Sequence, residues 1–194
     1  MKSLTLEDAL AAVGTLKAGN GAYVVNIDQK ANKLRSNVFF IAGLGVNLAG
    51  QNNLLIDQNT KKEIGVTNFD TGNKFNKGRM FLVTGIRILF DVTVGVTPKT
   101  AVWKGDAPAV FKNGEISISQ AGGLGDLFRH PIGPLAKYAA SLSTEQEVVS
   151  IAPFLIRDES EIAIAMQLAG QAAADQAYKV ELYGYEFSDA AVTA

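Results

Sequence analysis

From Met80 onward every second residue belongs to one set: Met80, Leu82, Thr84, Ile86, Ile88, Phe90, Val92 and Val94, seven of the eight apolar. The intervening phase, Phe81, Val83, Gly85, Arg87, Leu89, Asp91 and Thr93, is mixed and carries both charges. A period of two sustained this far predicts a β-strand with its even-numbered face in a core. At about 3.3 Å per residue, Gly78 to Gly95 would run roughly 50 Å, well beyond an ordinary strand. The stretch therefore predicts one long bent strand, with Gly85 as the bend, or two strands in succession. Arg87 and Asp91 share the odd phase, so each is expected to be exposed, paired, or buried at a subunit contact.

The same period recurs along the chain. Ala22 to Asp28 (AYVVNID) predicts a first strand, Asn37 to Leu48 an apolar one, and Leu54 to Ile56 a shorter one. Lys61 to Gly78 is punctuated by turn residues. Thr100 to Trp103 is a short strand candidate. Asn113-Gly114 lies between β-forming residues and predicts a hairpin, after which Ile116 and Ile118 alternate with Ser117 and Ser119. Gly122 to Leu135 holds so much Gly and Pro that it is expected to be a long loop. Glu147 to Ile156 predicts another strand, with Pro153 marking an edge or a bulge.

Ile162, Ile164, Met166 and Leu168 alternate with smaller residues. This favours a strand over the helix that the alanines of 161–177 would otherwise suggest. A loop over 170–176 leads to a last strand, Tyr178 to Phe187. Near the N-terminus Thr5 can cap a short helix with Leu6, Ala9, Leu10, Val13 and Leu16 on one face and Gly19 at its end. That helix is too short to stand alone and must dock on its own domain or on a neighbour. The expected organisation is an N-terminal helix or arm over 1–20 and a β-domain over 21–194. Short turn-separated strands with almost no helix predict an all-β chain, an antiparallel β-sandwich or jelly roll.

Composition narrows the chemistry. The 194 residues are 47% hydrophobic and 19% charged, which suits a globular chain large enough to bury a core. No cysteine is present, which excludes disulfides, thiolate nucleophiles and cysteine-held zinc. The single histidine, His130, excludes any site that needs two imidazoles. Glu7 and Asp8 interrupt the N-terminal segment, so no secretion signal is expected. The longest apolar run, Val38 to Leu48, falls short of the roughly 20 residues of a membrane span. Charge is split: residues 1–112 hold 14 Lys and Arg against 8 Asp and Glu, and residues 113–194 hold 4 against 11. Such a split either interleaves into a mixed surface or makes a self-complementary one. The absence of a long basic run argues against specific nucleic-acid binding.

Candidate motifs are few. Gly43-Leu-Gly45 after an apolar strand, with Glu63 downstream, suggests a dinucleotide fingerprint, but Leu48 fills the third glycine slot and no amphipathic helix follows. Glycines that bend or pack closely account for it better. Gly122-Gly123-Leu124-Gly125 lacks the lysine of a phosphate loop. His130 has no serine–acid arrangement marked beside it. Asp158, Glu159 and Glu161 form an acidic turn beside Arg157, and Asp70, Asn73 and Asn76 depart from calcium-loop spacing, so neither defines a metal site. Tyr183, Tyr185 and Phe187 share one strand phase, a strip suited to a core, a subunit contact or a sugar platform. No catalytic, cofactor-binding or metal-ligating residue is assigned.

Two segments carry a resemblance. The run Asn68-Phe69-Asp70 through Asn76-Lys77-Gly78-Arg79 into the long strand is one. The close, Ile162 to Leu168, then Ala169-Gly170 and Lys179-Val-Glu-Leu-Tyr-Gly184, is the other. Over roughly residues 65–187 the chain resembles the jelly-roll capsid proteins of tailless icosahedral bacteriophages. The resemblance implies a single jelly roll, no enzymatic activity and no cofactor. It also implies self-assembly as a trimer or larger homo-oligomer within a virion shell. Other capsid proteins and an internal membrane are the further partners it implies. Major capsid proteins of that group often carry two jelly rolls and 194 residues hold one, so major and minor roles both stay open. A carbohydrate-binding or adhesin-like module, and a cytoplasmic location, are the alternatives.

Overall fold

The computed structural model describes residues 35–123, 125–136 and 148–188. The predicted N-terminal helix and the strand over Ala22 to Asp28 lie outside the described residues. Eight strands are described: β1 (Arg35–Leu44), β2 (Asn52–Leu54), β3 (Arg79–Asp91), β4 (Glu115–Gln120), β5 (Asp126–Pro131), β6 (Val149–Ile156), β7 (Ile162–Gln167) and β8 (Ala177–Ser188). They form two four-stranded sheets, ordered β1-β8-β3-β6 and β2-β7-β4-β5, with every strand pair antiparallel. One core joins them. Phe39, Ile88 and Val180 of the first sheet pack in the same apolar cluster as Ile116, Ile118, Ile164 and Met166 of the second. The all-β antiparallel sandwich expected from the pattern is the fold observed.

The pairing is nested: β1 lies beside β8, β2 beside β7, β3 beside β6, and β4 beside β5. Antiparallel pairing throughout sends the connections alternately to two ends. The β1–β2, β3–β4, β5–β6 and β7–β8 connections lie at one end, and β2–β3, β4–β5 and β6–β7 at the other.

β3 is a single strand whose interior face changes sides. Before the irregularity between Val83 and Gly85 the core residues are odd, Phe81 and Val83; after it they are even, Ile86, Ile88 and Phe90. The register explains the change: Val83 lies opposite Gly184 and Gly85 opposite Tyr183, so Thr84 is an extra residue with no partner on β8. A bulge of one residue rotates everything beyond it by half a period. The even-numbered interior expected from the sequence therefore holds only beyond Gly85. Met80 and Leu82 are buried on the opposite face. Val92 and Val94 lie outside the strand and are exposed at 54% and 87%. Gly85 is needed because a Cβ there would run into Val148.

Two other expectations are corrected. Asn113-Gly114 is not a hairpin turn. Ala109–Lys112 forms a one-turn helix, α1, which Asn113 caps, and the Gly114 N–H bonds to the Phe111 carbonyl. The fully buried Phe111 ring, 4.9 Å from Phe90, anchors this turn, so tertiary packing overrides the local hairpin signal. Gly122 to Leu135 is not one long loop either. It contains β5 and a second one-turn helix, α2 (Ile132–Leu135), whose Ile132 and Leu135 are buried. Pairing with β4 recruits a segment whose own composition does not favour a strand. Thr100 to Trp103 is not a strand; an isolated bridge joins Lys104 to Phe90.

The segment Asn68 to Arg79 works locally. The Phe40 N–H donates to Asn68 Oδ1 at 2.8 Å, and Asn68 Nδ2 donates to the Val38 carbonyl at 2.7 Å. This satisfies the edge of β1 that β8 leaves open. Phe69 and Phe75 stack beside Phe39, which meets Phe81 edge-on at 4.8 Å. Burying one such ring stabilises by about 2 kcal/mol. Arg79 lies 5.4 Å from the Phe39 and Phe75 rings and pairs with Asp70 at 3.0 Å and Glu186 at 2.5 Å. Pro153 satisfies both readings offered for it, since β6 is an edge strand and its register against β3 shifts at that point.

Candidate functional site

β8 puts Tyr178, Val180 and Leu182 into the core, so Lys179, Glu181 and Tyr183 point from the opposite face of the first sheet. There they meet Arg87, which lies directly opposite Glu181 on β3. Glu181 is 5% exposed and is held on both oxygens. Lys179 Nζ contacts Oε1 at 2.7 Å. Oε2 accepts from Arg87 Nε and Nη2, both at 2.7 Å, and from the Tyr183 hydroxyl at 2.8 Å. Lys179 is also 4.7 Å from the Phe40 ring and 5.9 Å from Trp103, and Arg87 is 5.4 Å from the Tyr183 ring.

The electrostatics follow from that geometry. Burial pushes the Glu181 carboxyl up, but hydrogen bonds from Lys179, Tyr183 and Arg87 outweigh it, and its pKa lies below the ordinary carboxylate value. Burial, and then the neighbouring Glu181, raise the Tyr183 hydroxyl. On the core side, burial pushes Tyr178 up to about 12. A carboxylate bonded on both oxygens, with its pKa lowered, is a weak base. The cluster joins β3 to β8 across the outer face of the first sheet.

Asp91, the other charge on the odd phase, is 6% exposed. Its Oδ1 accepts from the Thr93 hydroxyl at 2.6 Å and the Thr93 N–H at 2.9 Å, and its Oδ2 accepts from the Val102 N–H at 2.6 Å. These bonds, the Thr93 hydroxyl foremost, hold its pKa below the usual value. Both odd-phase charges are thus paired, as expected. Asp91 ties the two arms of the β3–β4 connection together.

A cleft of about 530 Å³ opens at the end of the sandwich where β2 and β4 finish and β7 begins. Ile56 and Ile162 line it together with Asp57, Gln58, Ser119 and Glu161, and no lysine or arginine lines it among the described residues. Sequence reasoning placed Glu161 in a solvated turn and gave Asp57 no role. β4–β7 pairing, which sets Gln120 opposite Ile162, brings their segments together.

The remaining candidates are engaged elsewhere. His130 lies on edge strand β5, its ring stacked on Phe128 and its Nδ1 2.9 Å from the Pro131 carbonyl. Asp158 accepts from the Gly78 N–H at 2.6 Å, which joins the acidic turn to the start of β3. Gly43 and Gly45 are explained by packing: a Cβ on Gly43 would overlap the Tyr178 ring, and one on Gly45 the Ala173 carbonyl. Tyr183 and Tyr185 are half-buried on the outer face of the first sheet. Among the described residues no three His, Cys, Asp or Glu side chains gather to hold a metal ion, and no helix is long and apolar enough to cross a membrane. Comparison with family models, with curated proteins and with solved structures finds no match.

Proposed function

We propose that this chain is a structural, non-enzymatic subunit that assembles with copies of itself into a shell, in the manner of the jelly-roll capsid proteins its sequence resembles. One observation carries the reading. The nested pairing of first strand with last, second with seventh, third with sixth and fourth with fifth is the pairing of a strand set folded as one long hairpin. Wrapped into two four-stranded sheets, that pattern supports a single jelly roll. The internal bonding of Glu181, Asp91 and Asp158 supports a structural role, since each carboxylate is used within the fold. The proposed setting is a virion, with further capsid proteins and an internal membrane as additional contacts. Light scattering on the purified full chain, with negative-stain images, tests this: assemblies larger than a monomer are expected. A strictly monomeric species across salt, pH and concentration overturns it.

The polar lining of the cleft, Gln58, Asn59 and Ser119, favours a second reading, a carbohydrate-binding module. A glycan array signal abolished by Ser119→Ala in a folded chain would support that reading over the first. A blank array removes it.

A further inference from the structure

The two ends of the sandwich differ in a way that bears on how copies meet. The end holding the β3–β4 connection presents apolar side chains to solvent: Val92, Val94 and Val102 are exposed at 54%, 87% and 66%. Asp91 holds Val102 beside the start of this connection, and the bond from the Val96 N–H to the Thr93 carbonyl makes Val94 the tip of a turn. Gly95 follows at φ +74°, with nothing near the place a side chain would occupy. Lys104 follows Val102 by two residues on the same connection, and Lys99 of that connection is paired with Glu63 at 2.6 Å. The turn is therefore a projecting knob, apolar at its tip and cationic at its flank. Fixed by Asp91, it exposes more apolar surface than a connecting loop needs.

The opposite end has the complementary form. Ile56 and Ile162, only 2% and 1% exposed, form the floor of the cleft, and Leu54, exposed at 61%, forms its lip. Asp57 and Glu161 supply two carboxylates with no cation among the lining residues. We infer that the cleft receives the Val94 turn of a second copy of this chain, with Lys104 of the incoming turn set against Asp57 and Glu161. The inference rests on the self-assembly reading and specifies the surface it uses. Because knob and cleft sit at opposite ends of the sandwich, the contact is head-to-tail. It cannot close as a two-fold dimer and must give a ring or an open chain of subunits. Charge complementarity selects the second copy over an uncharged partner, since Asp57 accepts from the neutral Asn59 N–H and Thr60 hydroxyl and no lysine or arginine lines the cleft among the described residues.

The test uses two exposed substitutions in the full chain, followed by sedimentation velocity over a wide concentration range. Val94→Asp spoils the knob and leaves the cleft intact. Glu161→Arg spoils the cleft and leaves the knob intact. Each alone is expected to raise the concentration needed for association by roughly tenfold or more. Mixed in equal amounts, the two variants still share one good knob and one good cleft, so a capped heterodimer forms and grows no further. Val102→Asp serves as a second knob variant, and far-ultraviolet circular dichroism with thermal melting confirms that each chain is folded. Folded variants that assemble like the wild type, or a mixture with no heterodimer, overturn the head-to-tail contact while self-assembly stands. A wild-type chain that is monomeric at every concentration overturns both.

Discussion

The two faces of the β1-β8-β3-β6 sheet are both largely buried, yet only the outer one carries ionised groups. Inward, Phe39, Phe81, Ile86, Ile88, Val180 and Leu182 meet the second sheet with no ionised group among them. Outward, the same strands place a carboxylate, an ammonium, a guanidinium and a phenol within hydrogen-bonding distance of one another. The inner face is stabilised by apolar area and close packing, which tolerate no polar group without a partner. The outer face buries Met80, Leu82 and Leu89 beside its charge cluster, and that cluster's net contribution is small while each member is costly to remove. One sheet thus carries a face that drives folding and a face that constrains its register.

Substitutions on each face sharpen that contrast. The largest loss is expected for Phe81→Ala, which opens a cavity beside Phe39 in the core and should cost about 3–5 kcal/mol in urea unfolding. Glu181→Ala should follow at about 3 kcal/mol, because it strands Lys179 and Arg87 in a partly buried site. The double variant Glu181→Ala with Arg87→Ala should recover part of that loss. If Glu181→Ala alone is neutral, the outer cluster contributes nothing and the contrast between the faces fails.

Asp91→Ala removes three hydrogen bonds at the end of β3, and a loss of about 1–2 kcal/mol is expected. Hydrogen exchange should rise at Thr93 and Val102 before the strand interiors, which distinguishes a loosened connection from global destabilisation. The smallest effect is the pH dependence. The Glu181 carboxyl titrates below the ordinary glutamate value of 4.5 in the folded chain. Its contribution is therefore fully present above that value and is lost as pH falls through the lower folded pKa. Glu181→Gln should flatten the acid limb of the stability curve below about pH 4.5 and leave the slope at neutral pH unchanged. An acid limb identical to that of the wild type would remove Glu181 from the linkage.

Much of the fold was legible in the sequence. Ile116 and Ile118, Ile162 to Met166, and Tyr178 to Leu182 alternate as their strands do, because a half-buried strand imposes its period directly on side-chain polarity. Arg87 and Asp91 were expected to be exposed, paired or at a subunit contact, and both have hydrogen-bonding partners within the chain. The partner of Arg87 was not legible. Lys179, Glu181 and Tyr183 share a phase, but nothing local indicates that Glu181 lies opposite Arg87, 94 positions away. The cleft was hidden for the same reason, since residues near 57, 119 and 161 meet only through sheet pairing.

Local sequence thus determined most of the stretches that are strands and that one face of most of them is apolar, since that information resides in neighbouring residues. It did not determine which face of β3 turns inward along its full length. An unbroken period of two keeps Met80 and Ile86 on one side, whereas the folded strand separates them. The bulge that does so is selected by the neighbours: β8 passes one residue where β3 passes two, and β6 shifts at the same place. Tertiary pairing likewise drew Asp126–Pro131 into a strand and Ala109–Lys112 into a helical turn. In each case backbone hydrogen bonds and buried volume supplied by distant segments outweighed the local preference of the chain.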